Sequence, residues 1–414
     1  MVILFFVAAI YLVSYMSRQI FALLLPEINR DIRMTDTQIG QLTGLAFPVI
    51  YGVTSLFVAV AADRLNRVKL MAYSTAFFSV MTFACGLAQG FPVMFMARLG
   101  VGLGEAGPTP PSLSLLADSF VGPARQFANS VYTAAAVFGM LVAYVVIGNL
   151  SATFGWRAGF QAAGAFGLVV AVATLLCLRD PARTVAHAPM SIADIKRIPE
   201  LFRIPSFSFA VAAAVFNTIL TESSLQWLPL FLSRSLHMSQ VRISWFLGLN
   251  YSVLGLMGIL GGALISAKLR RRSVGAPQIF CAVVVGLITL GYILVCVSPS
   301  LLVSEVALAF VIFLTISAYG ALLAFVQDVT PDDGHAKATA LLFFLMQIGF
   351  GLGSFLIGVL SDLLRPQLGT ESLRYALLPV VAISGIAAAT CYMFASRHGD
   401  RDANNVLRAR RHRS

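Results

Sequence analysis

The few residues able to do chemistry in this sequence sit where solubility would not put them. The run "ARLGVGLGEAGPTPP" (97–111) sets Arg98 and Glu105 seven residues apart in apolar surroundings, and "SYMSRQIF" (14–21) places Arg18 beside Ser17. A charge at mid-membrane costs about 2.5–3.5 kcal/mol on insertion scales, so such groups face a cavity or one another. On a helix, Arg98 lies two turns from Glu105 on the same face, roughly 10 Å away along the axis, and Arg18 falls at an intermediate depth in its own segment. One carboxylate and two guanidinia can then share a buried site, provided the two segments are neighbours. That constellation suits proton carriage or recognition of an anion; it equally suits a structural ion pair between two helices. Glu222, within "NTILTESSLQWLP" beside Asn217, is the comparable charge of the second half.

The same glycine run contains Gly102-x-Gly104-x-x-Gly107, a formal dinucleotide fingerprint. No preceding strand, βαβ unit or acid about 20 residues on accompanies it. The glycines read instead as close helix approach, and Pro108, Pro110 and Pro111 predict a kink just beyond Glu105. Walker motifs, metal-ligand clusters and nucleophile constellations are absent, so no enzyme, metal or cofactor is expected.

The elements that must position these charges follow from composition. The chain is 58% hydrophobic and only 11% charged. Twelve apolar segments are long enough to cross a bilayer: 2–25, 38–62, 70–90, 94–117, 126–150, 157–178, 206–232, 243–267, 277–297, 301–325, 338–362 and 375–396. All five cysteines fall within them, which argues against a disulfide framework. The first segment has neither a basic leader nor a small-residue cleavage site, so no signal peptide is expected. Met1 opens directly into it, and a cytoplasmic tail ahead of Met1 is expected in the full protein.

The net charge of +11 invites a nucleic-acid reading, which topology removes. With the N-terminus inside, 20 of the 29 Lys and Arg residues fall on inner segments, 7 on outer ones, and Arg18 and Arg98 within spans. This is the positive-inside pattern. It puts both termini in the cytoplasm and makes the basic tail an anchor near anionic lipid headgroups. The one long polar stretch between spans, 179–205, divides six helices from six. "LADSFVGPARQFANSVY" (116–132) and "FVQDVTPDDGHAKATAL" (325–341) echo each other across the halves. The expected architecture is an all-α membrane protein of twelve transmembrane helices in two pseudo-symmetric six-helix bundles: 1–178, a linker 179–205, 206–396, and a basic tail 397–414. Such a parallel repeat is a transporter design.

Here a family resemblance enters. "AVAADRLNRVK" (59–69) resembles the loop 2–3 motif of the major facilitator superfamily, with Asp63, Arg64, Arg67 and Lys69 on its charged positions. "YMSRQIFALLLPEI", "TDTQIGQLTGLAF", "ARLGVGLGEAG" and "LADSF" together resemble the spinster-like branch, whose members move lysolipids and related amphiphiles. The resemblance implies that helices 1 and 4 line a central cavity where Arg18 and Glu105 serve proton coupling and gating. It also implies that Asp63, Arg64, Arg67, Asp118 and Arg125 close the cytoplasmic face. Two departures stand out. Ser17 occupies the place of an acid usual in the branch, and helix 5 lacks the Gly-Pro core of the antiporter motif.

The sequence therefore predicts a monomeric secondary transporter of a bacterial inner membrane. Its expected partners are protons, membrane lipids and an amphiphilic anion such as a lysolipid, with no nucleic acid. Alternatives are a small polar organic acid as substrate, or a transporter-like receptor that binds without translocating.

Overall fold

The computed structural model describes residues 1–62, 65–181, 201–331 and 334–411. Among them the chain forms twelve helical rods: α1 (Val2–Ile32), α2 (Asp36–Gly40, Gln41–Val49 and Ile50–Ala62), α3 (Arg67–Cys85), α4 (Phe91–Glu105 and Thr109–Ser119), α5 (Gly122–Leu141, Val142–Ile147 and Gly148–Phe154) and α6 (Trp156–Cys177). These are followed by α7 (Pro205–Thr218, Ile219–Ser223 and Ser224–Arg234), α8 (Gln240–Arg270), α9 (Ala276–Val297), α10 (Leu301–Thr315 and Tyr319–Val329), α11 (His335–Leu368) and α12 (Ser372–Arg411). Nine described segments are by themselves long and apolar enough to cross a membrane; one of them, Lys337–Val406, contains both α11 and α12. The rods α2 and α4 are not among these nine, and α4 and α10 are each broken by a turn, at 106–108 and 316–318.

Local chemistry explains the boundaries. Thr35 and Gln38 form a reciprocal capping box that starts α2, and Asn66 accepts from the Lys69 amide to start α3. Rod α4 breaks after Glu105 and resumes at Thr109, with Pro110 and Pro111 in the first turn, where missing amide donors cost nothing. The kink read from the prolines is therefore present. Three rods carry a π-helical stretch: α2 at Gln41–Val49 around Pro48, α5 at Val142–Ile147, and α7 at Ile219–Ser223 around Glu222. Such widened turns recur at functional sites.

The packing repeats. Rod α1 packs on α5 and α6, and α3 on α4 and α6; α7 packs on α11 and α12, and α9 on α10 and α12. Adding six to each number in the first set gives the second, which is the internal repeat in three dimensions. By contacts the chain falls into two compact units, Met1–Met190 with Leu225–Ser252, and Ser191–Ser224 with Val253–Ser414.

The first unit thus draws on both sequence halves, and specific contacts explain why. Asp36, wholly buried, accepts two hydrogen bonds from Arg234, at 2.7 and 2.9 Å. Gln240 Nε2 donates to the Leu23 carbonyl at 2.9 Å. The Tyr144 and Tyr251 rings stack 6.2 Å apart. Gly148 is needed for this approach, since a Cβ there would lie 2.4 Å from Ser244 Oγ. The fork-shaped guanidinium matches the carboxylate geometry, and removing one member of a buried pair leaves an uncompensated charge. A double-mutant cycle of Asp36→Asn and Arg234→Gln, read by unfolding in detergent, should therefore show coupling of about 3 kcal/mol. Purely additive effects would mean that the pair contributes nothing.

Candidate functional site

The site in the first unit is built around Glu105, the last helical residue before the α4 break. Its carboxylate is wholly buried, and Oε2 accepts from Arg18 Nε at 2.6 Å. Arg18 keeps 19% of its side chain exposed, and Nε is the guanidinium nitrogen that holds Glu105. Aromatic rings wall it: Tyr51 at 4.5 Å, Tyr15 at 5.3 Å and Phe47 at 5.4 Å from the guanidinium carbon. A cation against ring faces is held by their quadrupoles, by about 2 kcal/mol when desolvated. The wall continues through Tyr11, whose ring stacks on Tyr132 at 4.1 Å and whose hydroxyl reaches that of Tyr15 at 3.5 Å.

Helix geometry puts these groups together. Tyr11, Tyr15 and Arg18 are spaced i, i+4, i+7 on α1, and Phe47 and Tyr51 are i, i+4 on α2. Phe47 lies in the π-helical stretch of α2. Gly102 lets α4 approach that stretch, because a Cβ there would stand 2.9 Å from the Phe47 carbonyl. The tyrosine spacing was a readable signal; the contribution of Phe47 was not, because the wider turn around Pro48 alters which residues share a face.

Arg98 is 2% exposed and also faces Phe47, at 5.0 Å, as well as Phe21 at 4.6 Å. Among the described residues no carboxylate hydrogen-bonds it, and its Nε has no partner. Glu105 Oε1 is likewise unpartnered. The structure thus joins Arg18 to Glu105 and holds Arg98 on the two rings close by. Ser17, buried, shares a 2.9 Å hydrogen bond with Thr82 of α3, whose hydroxyl also reaches the Phe78 carbonyl at 2.8 Å. Thr82 had no sequence signal.

The second unit holds Glu222, half-buried in the π-helical stretch of α7 and in electrostatic contact with Tyr292 of α9. Asn217 lies one turn before it, with its backbone carbonyl taken by Thr221 and its Oδ1 unpartnered.

At the basic end of the first unit, Asp63 and Arg64 lie outside the described residues. Arg67 is 1% exposed and is the hub there. Its guanidinium donates to Asp118 at 2.5 Å, Ser114 at 3.1 Å, Asp180 at 3.0 Å and the Pro181 carbonyl at 2.9 Å. Its own amide donates to Asp180 at 2.7 Å. Arg67 and Asp118 are brought together, and Arg125 is exposed. Asp180, the first acid after α6, was missed because 113 residues separate it from Arg67.

Comparison with known proteins decides the family. The model of the Major Facilitator Superfamily matches residues 7–354. The chain belongs to the major facilitator superfamily. It is 30% identical over 397 residues to an MFS-type efflux pump of Mycolicibacterium smegmatis, covering 94% of this chain and 91% of that one. It is 25% identical to protein spinster homolog 1 of Xenopus tropicalis, covering 93% and 78%. In fold it is similar to the crystal structure of a bacterial homologue of the human lysosomal transporter spinster, inward-facing and occupied. The TM-score there is 0.83, with 23% identity and coverage of 96% and 97%. The spinster-like resemblance read from the motifs agrees with these relatives. The superfamily fold makes this chain a multi-pass membrane transporter and not an enzyme.

Two stability measurements probe the clusters. Arg18→Met leaves the buried Glu105 carboxylate without its counter-charge and should cost about 3–5 kcal/mol, most of it recovered in Arg18→Met/Glu105→Gln. Asp180→Ala removes acceptors from a buried guanidinium and should cost about 2 kcal/mol. Thermal or denaturant unfolding of the purified protein reads both, and a double variant no more stable than Arg18→Met would contradict the pairing.

Proposed function

We propose that this superfamily member is a secondary transporter working by alternating access, coupled to protons, with an amphiphilic anion such as a lysolipid as substrate. The observation that carries this reading is the side chain of Arg18. Its Nε holds Glu105, part of it is exposed, and four tyrosines with Phe47 form an amphipathic wall beside it. An anionic headgroup on Arg18 competes with Glu105 for the same charge, while an apolar chain lies along the rings.

The competition supplies the coupling. A carboxylate with no exposure needs either a cation or a proton, since burial penalises its bare charge. When substrate takes Arg18, a proton on Glu105 replaces the lost counter-charge; when substrate leaves, Arg18 returns and the proton departs. A hydroxyl at Ser17 makes Glu105 the proton carrier of the first half, with Glu222, beside Asn217, the comparable carboxylate in the second. In this reading residues 1–178 and 206–396 rock about the linker 179–205. Asp63, Arg64, Arg67, Asp118 and Arg125 close one face, with both termini and the tail 397–414 in the cytoplasm. The protein acts as a monomer in a bacterial inner membrane.

Proteoliposomes with an imposed pH gradient and a fluorescent lysophospholipid test the reading. The parent should accumulate the probe, and Glu105→Gln should abolish gradient-driven uptake while binding survives in part. Ser17→Asp should change the pH dependence of uptake without destroying it. Accumulation by Glu105→Gln equal to the parent would overturn the coupling role. Uptake of small organic acids in preference to the lysolipid would overturn the amphiphile, and binding without any uptake would favour a receptor.

A further inference from the structure

The second unit has a feature at its basic end that transport does not use. Rod α12 runs beyond its apolar stretch to Arg411 as one continuous helix. Its acids are committed to other backbones. Asp402 accepts from the Ser206 amide at 3.0 Å, in the first turn of α7. Asp400 accepts from the Val274 amide at 2.7 Å and the Gly275 amide at 3.4 Å, just before α9. Both carboxylates therefore satisfy amides at helix starts that have no intrahelical partner, where anions are favoured.

Those acids are taken up with backbone amides, and among the described residues neither forms an ion pair with the arginine between them. Arg401 is exposed and, among the described residues, makes no ion pair; the same holds for Arg203, just ahead of α7. The two line one cleft of about 440 Å³ with Ile204, Pro205, Val329, Pro331, Asn405 and Val406. The Asp402 carboxylate also borders the cleft and is the only acid lining it among the described residues. Arg408, two turns beyond Arg401 on the same helix, is exposed as well. Phe202 stands 44% exposed beside Arg203.

We infer that this cleft binds the phosphate headgroup of an anionic phospholipid from the leaflet facing this end. Two free guanidinia recognise the phosphate. The aliphatic floor of Ile204, Pro205, Val329, Pro331 and Val406 suits the glycerol and the start of the acyl chains, which a free phosphate lacks. Lipid so bound staples the end of α12 to the start of α7, reinforcing the contact that Asp402 makes.

The purified full chain in neutral detergent is titrated with phosphatidylglycerol, phosphatidylcholine or inorganic phosphate, and binding is read by retention in native mass spectrometry and by the unfolding midpoint. Phosphatidylglycerol should be retained and raise the midpoint, and the other two should not. Arg203→Gln/Arg401→Gln should weaken phosphatidylglycerol about 25-fold, at about fivefold per guanidinium, with the lipid-free midpoint unchanged because both residues are exposed. Arg203→Lys/Arg401→Lys should keep most of the affinity. Equal retention of phosphatidylglycerol by parent and the Gln variant would overturn the site, and equal stabilisation by inorganic phosphate would overturn its assignment to a lipid. Neither readout involves Glu105 or uptake, so the outcome is independent of the transport reading.

Discussion

A carboxylate with no access to water, inside an apolar helical unit, has to be given its charge by something. In this protein that something is Arg18, and much of the first unit is arranged around the contact. Rod α4 breaks immediately after Glu105. Rod α2 widens into a π-helical stretch that lays Phe47 against both arginines, and Gly102 lets α4 come within contact of that stretch. A buried ion pair is a poor source of net stability. In the function proposed above, its value lies in being exchangeable between the carboxylate and an incoming anion.

Arg98 shows the complementary solution. It is as buried as Glu105 but rests on ring faces, and among the described residues no carboxylate hydrogen-bonds it. The unpartnered Nε of Arg98 and Oε1 of Glu105 leave the cluster short of its full set of hydrogen bonds. Buried polar networks are rigid when fully satisfied. One with spare donors and acceptors retains alternatives, as a site that must bind and release requires.

Charge is handled differently at the ends. Arg67 gathers Asp118, Asp180, a hydroxyl and a carbonyl around one buried guanidinium, which fixes the start of α3 to the ends of α4 and α6. Asp36 and Arg234 tie the start of α2 to the end of α7, two elements on either side of the long linker. Asp31, near the end of α1, accepts a hydrogen bond from Arg157 at the start of α6.

Composition and periodicity determine that this chain is helical, multi-pass and duplicated, because a bilayer admits few ways of satisfying a backbone and apolar length is readable residue by residue. The prolines after Glu105 announce the break in α4, and the mismatch of Arg18, Arg98 and Glu105 with their surroundings marks the site. Tertiary structure alone decides how these charges pair. Nothing in the spacing says that Arg18 holds Glu105 while Arg98 rests on Phe21 and Phe47. That depends on the rotation of α1 and α2 about their axes, and the π-helical turn around Pro48 resets it for α2. Asp180 and Thr82 are equally invisible in sequence, since 113 and 65 residues separate them from Arg67 and Ser17. The placement of residues 225–252 with the first unit likewise rests on contacts such as Asp36 with Arg234, 198 residues apart. Local pattern encodes which elements form, whereas long-range partners are chosen by packing, and packing is a property of the folded chain.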